Sequence, residues 1–256
     1  MDAVRTIQRD KLKAEIFRSR AEMGRAAATA AVKRIKQLAL TKEEINIVFA
    51  AAPSQNEFLE CLIQDKGVQW GKINGFHLDE YIGLDDEAPQ SFGNFLNRAV
   101  FQKVKFKSIY YLNGNAANLE EECSRYSELL QRHPLDMAFL GIGENGHLAF
   151  NDPPTADFSD KSSVKVVKLE EACRNQQVND GCFTSLSEVP EYAFTLTIPA
   201  ILSAREIYCV VPGKTKAEAV KNALFGPVAE TCPASVLRKH EAAKLYMDMD
   251  SAGLIL

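Results

Sequence analysis

Tryptophan, histidine and basic excess are all scarce in this 256-residue chain, and each scarcity removes a class of function. The six cysteines, at 61, 123, 173, 182, 209 and 232, include no C-x-x-C pair, which excludes a zinc ribbon and gives no disulfide framework. Most of them sit among apolar or helical neighbours, where a free thiol behaves as a small hydrophobe. The four histidines are far apart and no H-E-x-x-H motif occurs, so neither a metal nor any other cofactor is expected. No apolar run approaches the ~18 residues that span a bilayer, so no membrane is expected. A net charge of −4 argues against nucleic acid as a partner, because nucleic-acid binding leaves a basic patch or a strongly basic domain. The first ten residues carry charges where a secretory leader would have its apolar core, which makes the cytoplasm the expected location.

What is present reads as an α/β protein. Residues from about 10 to 40 are rich in Ala, Lys, Arg and Glu and predict a helix. Short apolar runs at Ile45–Ala51, Lys72–Leu78, Ser108–Leu112, Asp136–Gly141, Tyr192–Ile198, Glu206–Pro212 and Lys244–Asp248 predict strands. Helical spacing follows Glu57, Ser91, Asn118 and Lys216, with Ser91 and Asn118 as N-caps and Pro199 at a helix start. Strands alternating with helices predict a Rossmann-like, mostly parallel sheet with helices on both faces, and nothing marks a linker, so 1–256 is expected to form a single domain. In such sheets ligands sit beyond the carboxyl ends of the strands. Ser54, Asp79, His147 and Lys216 each follow one of these runs.

The most informative stretch is Gly141-Ile-Gly-Glu-Asn-Gly-His-Leu-Ala-Phe-Asn-Asp-Pro-Pro154. Its three glycines imitate the dinucleotide fingerprint, but that motif needs its third glycine to open a helix. Here Pro153-Pro154 stops any helix within two turns. A glycine-walled turn presenting His147 beside Asp152 reads instead as a reaction site, with Gly146 letting the backbone approach a ligand. Asp152 either orients the imidazole or shapes an Asn-Asp-Pro-Pro turn. Asp79-Glu80 ends another strand, so one of the pair can be a general base and the other a helix cap. Ser54 and Gln55 precede a helix whose first amides can hold an anion, and Lys216 enters another. Solvation is the alternative for the lysine. Lys214-Thr215 lacks the spacing of a nucleotide P-loop.

Phe76-His-Leu-Asp-Glu-Tyr-Ile-Gly-Leu84, Leu112-Asn-Gly-Asn115, the 141–153 segment and Pro212-Gly-Lys-Thr-Lys216, in this order, resemble the glucosamine-6-phosphate deaminase (isomerase) family. The resemblance runs from about residue 45 to 245. Its relatives include galactosamine-6-phosphate isomerases and, more distantly, 6-phosphogluconolactonases. It implies a Rossmann-like fold and an enzyme that opens an amino-sugar 6-phosphate, isomerises aldose to ketose and releases ammonia. Asp79 then matches the base that moves a proton between C2 and C1, His147 the ring-opening residue, and Lys216 a phosphate ligand. Ser54 and Gln55 fall in the phosphate loop. The implied partner is a small sugar phosphate, together with further copies of the chain if it forms a homo-oligomer.

Four positions depart from the glucosamine pattern. Asn145 stands where Asp usually precedes Gly-His, and Asp152 is one methylene shorter than the usual glutamate. Ala51-Ala-Pro-Ser-Gln55 replaces a glycine-rich loop, and Gln177 occupies the place of a phosphate-binding arginine. Asn-Gly-His and the Gln-Gln segment lie closer to the galactosamine branch. Lactone hydrolysis and non-catalytic sensing of sugar phosphates are the alternative functions.

Overall fold

The computed structural model describes residues 2–256, and its chain opens with a hairpin. β1 (Arg5–Arg9) and β2 (Leu12–Phe17) turn at Asp10, whose φ of 49° fits a short polar side chain. α1 (Arg20–Ala39) follows, capped by Ser19, whose side chain accepts from the Glu22 N–H. Then come β3 (Ile45–Phe49), α2 (Asn56–Gln64), β4 (Ile73–His77), β5 (Asp79–Tyr81), α3 (Phe92–Leu96), β6 (Ser108–Tyr110), α4 (Leu119–Arg132) and β7 (Met137–Leu140). The remainder comprises β8 (Val164–Lys168), α5 (Glu171–Asn179), β9 (Tyr192–Leu196), α6 (Ile198–Leu202), β10 (Glu206–Val211), α7 (Ala217–Phe225) and β11 (Ala243–Asp248).

Eight strands form one sheet in the order β1-β2-β11-β10-β7-β3-β4-β6, parallel throughout except for β1 against β2. The period of two along each strand divides the apolar side chains between two cores. Ile47 and Phe49 of β3, Phe139 of β7 and Val210 of β10 join Met23 and Ala27 of α1 and Phe58 of α2 on one face. Val48, Ala138, Leu140 and Cys209 of the same strands join Tyr126 of α4, Ile201 of α6 and Val220 of α7 on the other. Both faces are covered, so the central strands read as continuous apolar runs. This is the α/β fold read from the sequence, with helices on both faces.

Three segments differ from the sequence reading. Residues 12–17 are strand, not helix: Leu12, Ala14 and Ile16 are buried while Lys13 is exposed, and β2 pairs in parallel with β11. The helix of this region begins at Arg20. The run at Tyr192–Leu196 is β9, which lies outside the main sheet. It is the middle strand of a small antiparallel sheet, β5-β9-β8, of which β5 and β8 had no separate sequence signal.

The strand order creates a switch point. From β3 the chain moves outward to β4 and β6, then returns to β7 on the other side of β3 and continues to β10 and β11. Connections leaving β3 and β7 therefore diverge, and a crevice opens between their carboxyl ends, as in other open α/β sheets. The small sheet is tied to that edge, since the Leu196 N–H donates to the Leu78 carbonyl between β4 and β5.

Candidate active site

Ser54, Asp79, His147, Gln177 and Lys216 line one cavity at the switch point, together with Ala50–Ala52, Gly141–Gly143, Phe92 and Asp180. Five separate segments supply the first five. Ser54 lies in a 3₁₀ turn, Pro53–Gln55, that leads into α2, so that helix start faces the crevice. Asp79 opens β5, His147 ends the turn after β7, Gln177 is on α5 and Lys216 immediately precedes α7.

The acidic pair divides its labour. Glu80 accepts from the Ser91 hydroxyl at 2.8 Å and from the Phe92 and Gly93 N–H groups at 3.0 and 2.8 Å, so it holds the start of α3. Asp79 has no side-chain hydrogen bond among the described residues, is buried, and turns to the cavity. Burial, and secondarily the neighbouring Glu80, push its carboxyl well above the usual carboxylate range.

The glycines of 141–146 serve His147. A Cβ on Gly143 would fall 2.1 Å from the ring's Cε1 and 2.2 Å from Nε2, so the imidazole lies in the space that a side chain would fill. Gly146 has φ 89°, and its missing Cβ would meet the Cys232 Sγ at 2.8 Å. Its carbonyl accepts from the Ala234 N–H at 2.8 Å. Gly146 thus shapes the turn from behind and does not line the cavity. No helix follows until Glu171, which removes the dinucleotide reading.

Asn145 and Asp152 form the wall behind the ring. His147 Nδ1 lies 2.9 Å from Asn145 Oδ1 and 3.1 Å from Asp152 Oδ1, while Asn145 Nδ2 donates to Asp152 Oδ1 at 2.7 Å. Both atoms facing Nδ1 are acceptors, so Nδ1 carries the proton and Nε2 keeps its lone pair. Burial would raise the Asp152 carboxyl, but its contacts with His147, Asn145 and Cys173 outweigh burial and hold it below the ordinary range. The Asp152 carbonyl also opens the following turn, accepting from the Thr155 and Ala156 N–H groups at 2.8 Å, while Asn151 holds the turn before it. Its Nδ2 donates to the Leu148 and Leu196 carbonyls at 2.9 and 2.8 Å, fixing a tight turn in which Ala149 takes φ 52°.

Lys216 brings a cation to the same cavity. Among the described residues Lys216 has no hydrogen-bonded carboxylate and is buried; burial lowers its pKa, opposed by the charges of Asp180 and Glu144. A buried ammonium lacking an ion-pair partner is suited to an anionic ligand. The Ser54 Oγ accepts from Gln55 Nε2 at 3.1 Å, which leaves its hydrogen free to donate. Gln55 itself is behind the wall, its Nε2 also reaching the Val210 carbonyl at 3.1 Å. The arrangement can hold an anion beside Lys216 and move protons at Asp79 and His147.

The sequence reading named Gln177 but predicted neither α5 nor the rest of its face. Cys173, Gln176, Gln177 and Asp180 lie three or four residues apart, hence on one helix face, which was the available signal. Cys173 sits beside Asp152, and Gln176 Oε1 accepts from the Glu144 N–H at 2.8 Å, tying α5 to the histidine turn. Four larger hollows, of about 420, 670, 540 and 200 Å³, lie elsewhere, and among the described residues none gathers a comparable set of groups.

The family model described as glucosamine-6-phosphate isomerases/6-phosphogluconolactonase matches residues 18–247. A glucosamine-6-phosphate deaminase of Listeria monocytogenes is 35% identical over 216 residues, 84% of this chain and 90% of that protein. One of Bacillus thuringiensis is 36% identical over 227 residues, 89% of this chain and 84% of that protein. A solved monomeric glucosamine-6-phosphate deaminase superposes with a TM-score of 0.85 at 33% identity, covering 94% of this chain and 99% of that one. The 6-phosphogluconolactonase of Thermotoga maritima superposes at 0.76 over 93% of this chain and all (100%) of that one, but at 19% identity it shares the fold alone.

Proposed function

The chain belongs to the glucosamine-6-phosphate isomerase/6-phosphogluconolactonase family, and on that premise we propose that it is an amino-sugar 6-phosphate deaminase/isomerase. Its reaction converts the aldose to a ketose 6-phosphate and releases ammonia. The observation that carries the reading is the gathering of an unpartnered carboxyl, a tautomerically fixed imidazole and an unpaired ammonium around one crevice.

The substrate phosphate binds Lys216, the Ser54 hydroxyl and the first turn leading into α2. His147 Nε2 takes the proton of the C1 hydroxyl and returns one to the ring oxygen, opening the sugar. Asp79 then removes the C2 proton while O1 takes one of the ammonium protons, and the resulting enol-amine takes the Asp79 proton back at C1, leaving an iminium at C2 that water hydrolyses to ketose and ammonia. The substrate's own ammonium supplies the positive charge that ionises Asp79 on binding, offsetting the burial that disfavours the ionised carboxyl.

Glucosamine 6-phosphate is the first substrate to assay, because relatives at 35–36% identity carry that name. Galactosamine 6-phosphate stands beside it because of Asn145 and Gln177. The test measures ammonia and ketose phosphate from both epimers, with a phosphogluconolactone as third substrate. Ammonia from at least one epimer is expected, and Asp79→Asn should lower turnover by about 10²- to 10⁴-fold while a phosphorylated sugar alcohol still binds. Undiminished turnover in that variant would overturn the assignment of the base. Hydrolysis of the lactone alone would overturn the reaction, and binding without turnover of any substrate would mark a sensor.

A further inference from the structure

The sequence carries no metal motif, yet the fold brings His147, Asp152 and Cys173 together behind the cavity. All three are buried, and one donor atom from each lies within 4.8 Å of the other two. We propose that they form a binding site for a soft divalent cation of the zinc class, and that its occupancy disables His147.

The geometry is close to what such an ion requires. Bond lengths of ~2.0–2.3 Å to nitrogen, oxygen and sulfur in a tetrahedron put the donors roughly 3.2–3.7 Å apart. The His147 Nδ1 to Asp152 Oδ1 edge is already 3.1 Å. The sulfur edges need to close by up to about 1.1–1.6 Å from the 4.8 Å bound. An imidazole and a thiolate exclude hard cations such as magnesium and calcium. Charge also fits: one carboxylate and one thiolate neutralise a divalent ion, so the buried group carries no net charge. Asn145 Nδ2 already orients Asp152 Oδ1 at 2.7 Å, as outer partners of metal ligands do.

Coordination rearranges protons. The cation takes the Nδ1 lone pair, the Nδ1 proton leaves, and Nε2 acquires one from solvent. The Cys173 thiol loses its proton to water, so one proton is released per ion overall. Nε2 then points an N–H at the cavity in place of a lone pair and cannot accept from a sugar hydroxyl. Metal binding does not depend on the proposed deaminase activity; loss of ring opening does.

Cobalt(II) is the probe, titrated into the chelator-treated full chain. One equivalent should bind with tetrahedral visible bands and a thiolate-to-cobalt charge-transfer band in the near ultraviolet. Cys173→Ser should remove the charge-transfer band and weaken zinc binding, measured against a chelating dye, by about tenfold or more. Asp152→Asn, which keeps the thiol, should weaken zinc comparably. Cys232→Ser, a change at another buried cysteine near the same turn, should leave the spectrum intact. Failure of the wild-type chain to bind one equivalent, or a spectrum indifferent to Cys173→Ser, would sink the site. Full turnover with zinc bound would sink the switch, and absence of turnover without zinc would count against the deaminase reading only.

Discussion

Asp79 and Lys216 are both buried ionisable groups without a hydrogen-bonded side-chain partner among the described residues, and each carries a desolvation cost that a bound ligand of opposite charge would offset. Replacing Lys216 with Met should leave kcat little changed and raise KM for phosphorylated sugars. The loss of a charged hydrogen bond is about 1.5–3 kcal/mol, roughly 10- to 150-fold in affinity. A KM unchanged in Lys216→Met would show that the phosphate binds elsewhere. For Asp79 the consequence is a pH-dependent stability. Its folded-state pKa is raised, so the neutral form is favoured on folding, and its contribution is complete below the unfolded value of about 4. That contribution is lost as pH rises through the folded value. Asp79→Asn should therefore melt with the wild type at low pH and above it at neutral pH, each kcal/mol appearing as about 2–4 °C. Identical melting curves at every pH would show that Asp79 is not held neutral.

Among the elements, the turn of 141–147 and helix α5 decide where the imidazole stands. Gly143→Ala would place its methyl inside the ring of His147, and the ring must leave. Turnover should fall by at least the ~10² of a lost acid–base group. Binding of inorganic phosphate, followed calorimetrically, should persist, because Lys216 belongs to another element. An alanine variant with normal turnover would mean that the ring can work from another position. The element-level sequence signals succeeded where one period dominated: caps at Ser91 and Asn118 hold N–H groups as their residue types required. They failed at Leu12–Phe17. The alternation of Leu12, Ala14 and Ile16 with Lys13 and Glu15 was present, but helix-forming composition on its carboxyl side obscured it.

At the scale of the molecule, the N-terminal hairpin joins the sheet through the C-terminal strand, β2 against β11 from Lys13↔Lys244 to Phe17↔Asp248. The two ends of the chain therefore complete one sheet, and the two cores share its strands. We propose that 1–256 folds as a single domain. Fluorescence of Trp70, the one tryptophan, which packs on Phe106, should change together with far-ultraviolet dichroism on denaturation. Two separated transitions would contradict a single cooperative unit. Among the described residues no helix is long and apolar enough to cross a membrane.

Local patterning in the sequence determined the α/β class and the glycine turn that presents His147. It also set the placement of Ser54, Asp79, His147 and Lys216 after strand runs, because period and turn chemistry act over a few neighbouring residues. Only the tertiary structure decided which acid of Asp79-Glu80 faces the cavity, since that depends on α3 arriving to take Glu80. It also decided that Asp152 meets the ring while Asn151 holds the turn, and it brought Cys173 to them both. Those contacts join residues on separate elements, and no local spacing can specify a meeting that the strand order creates.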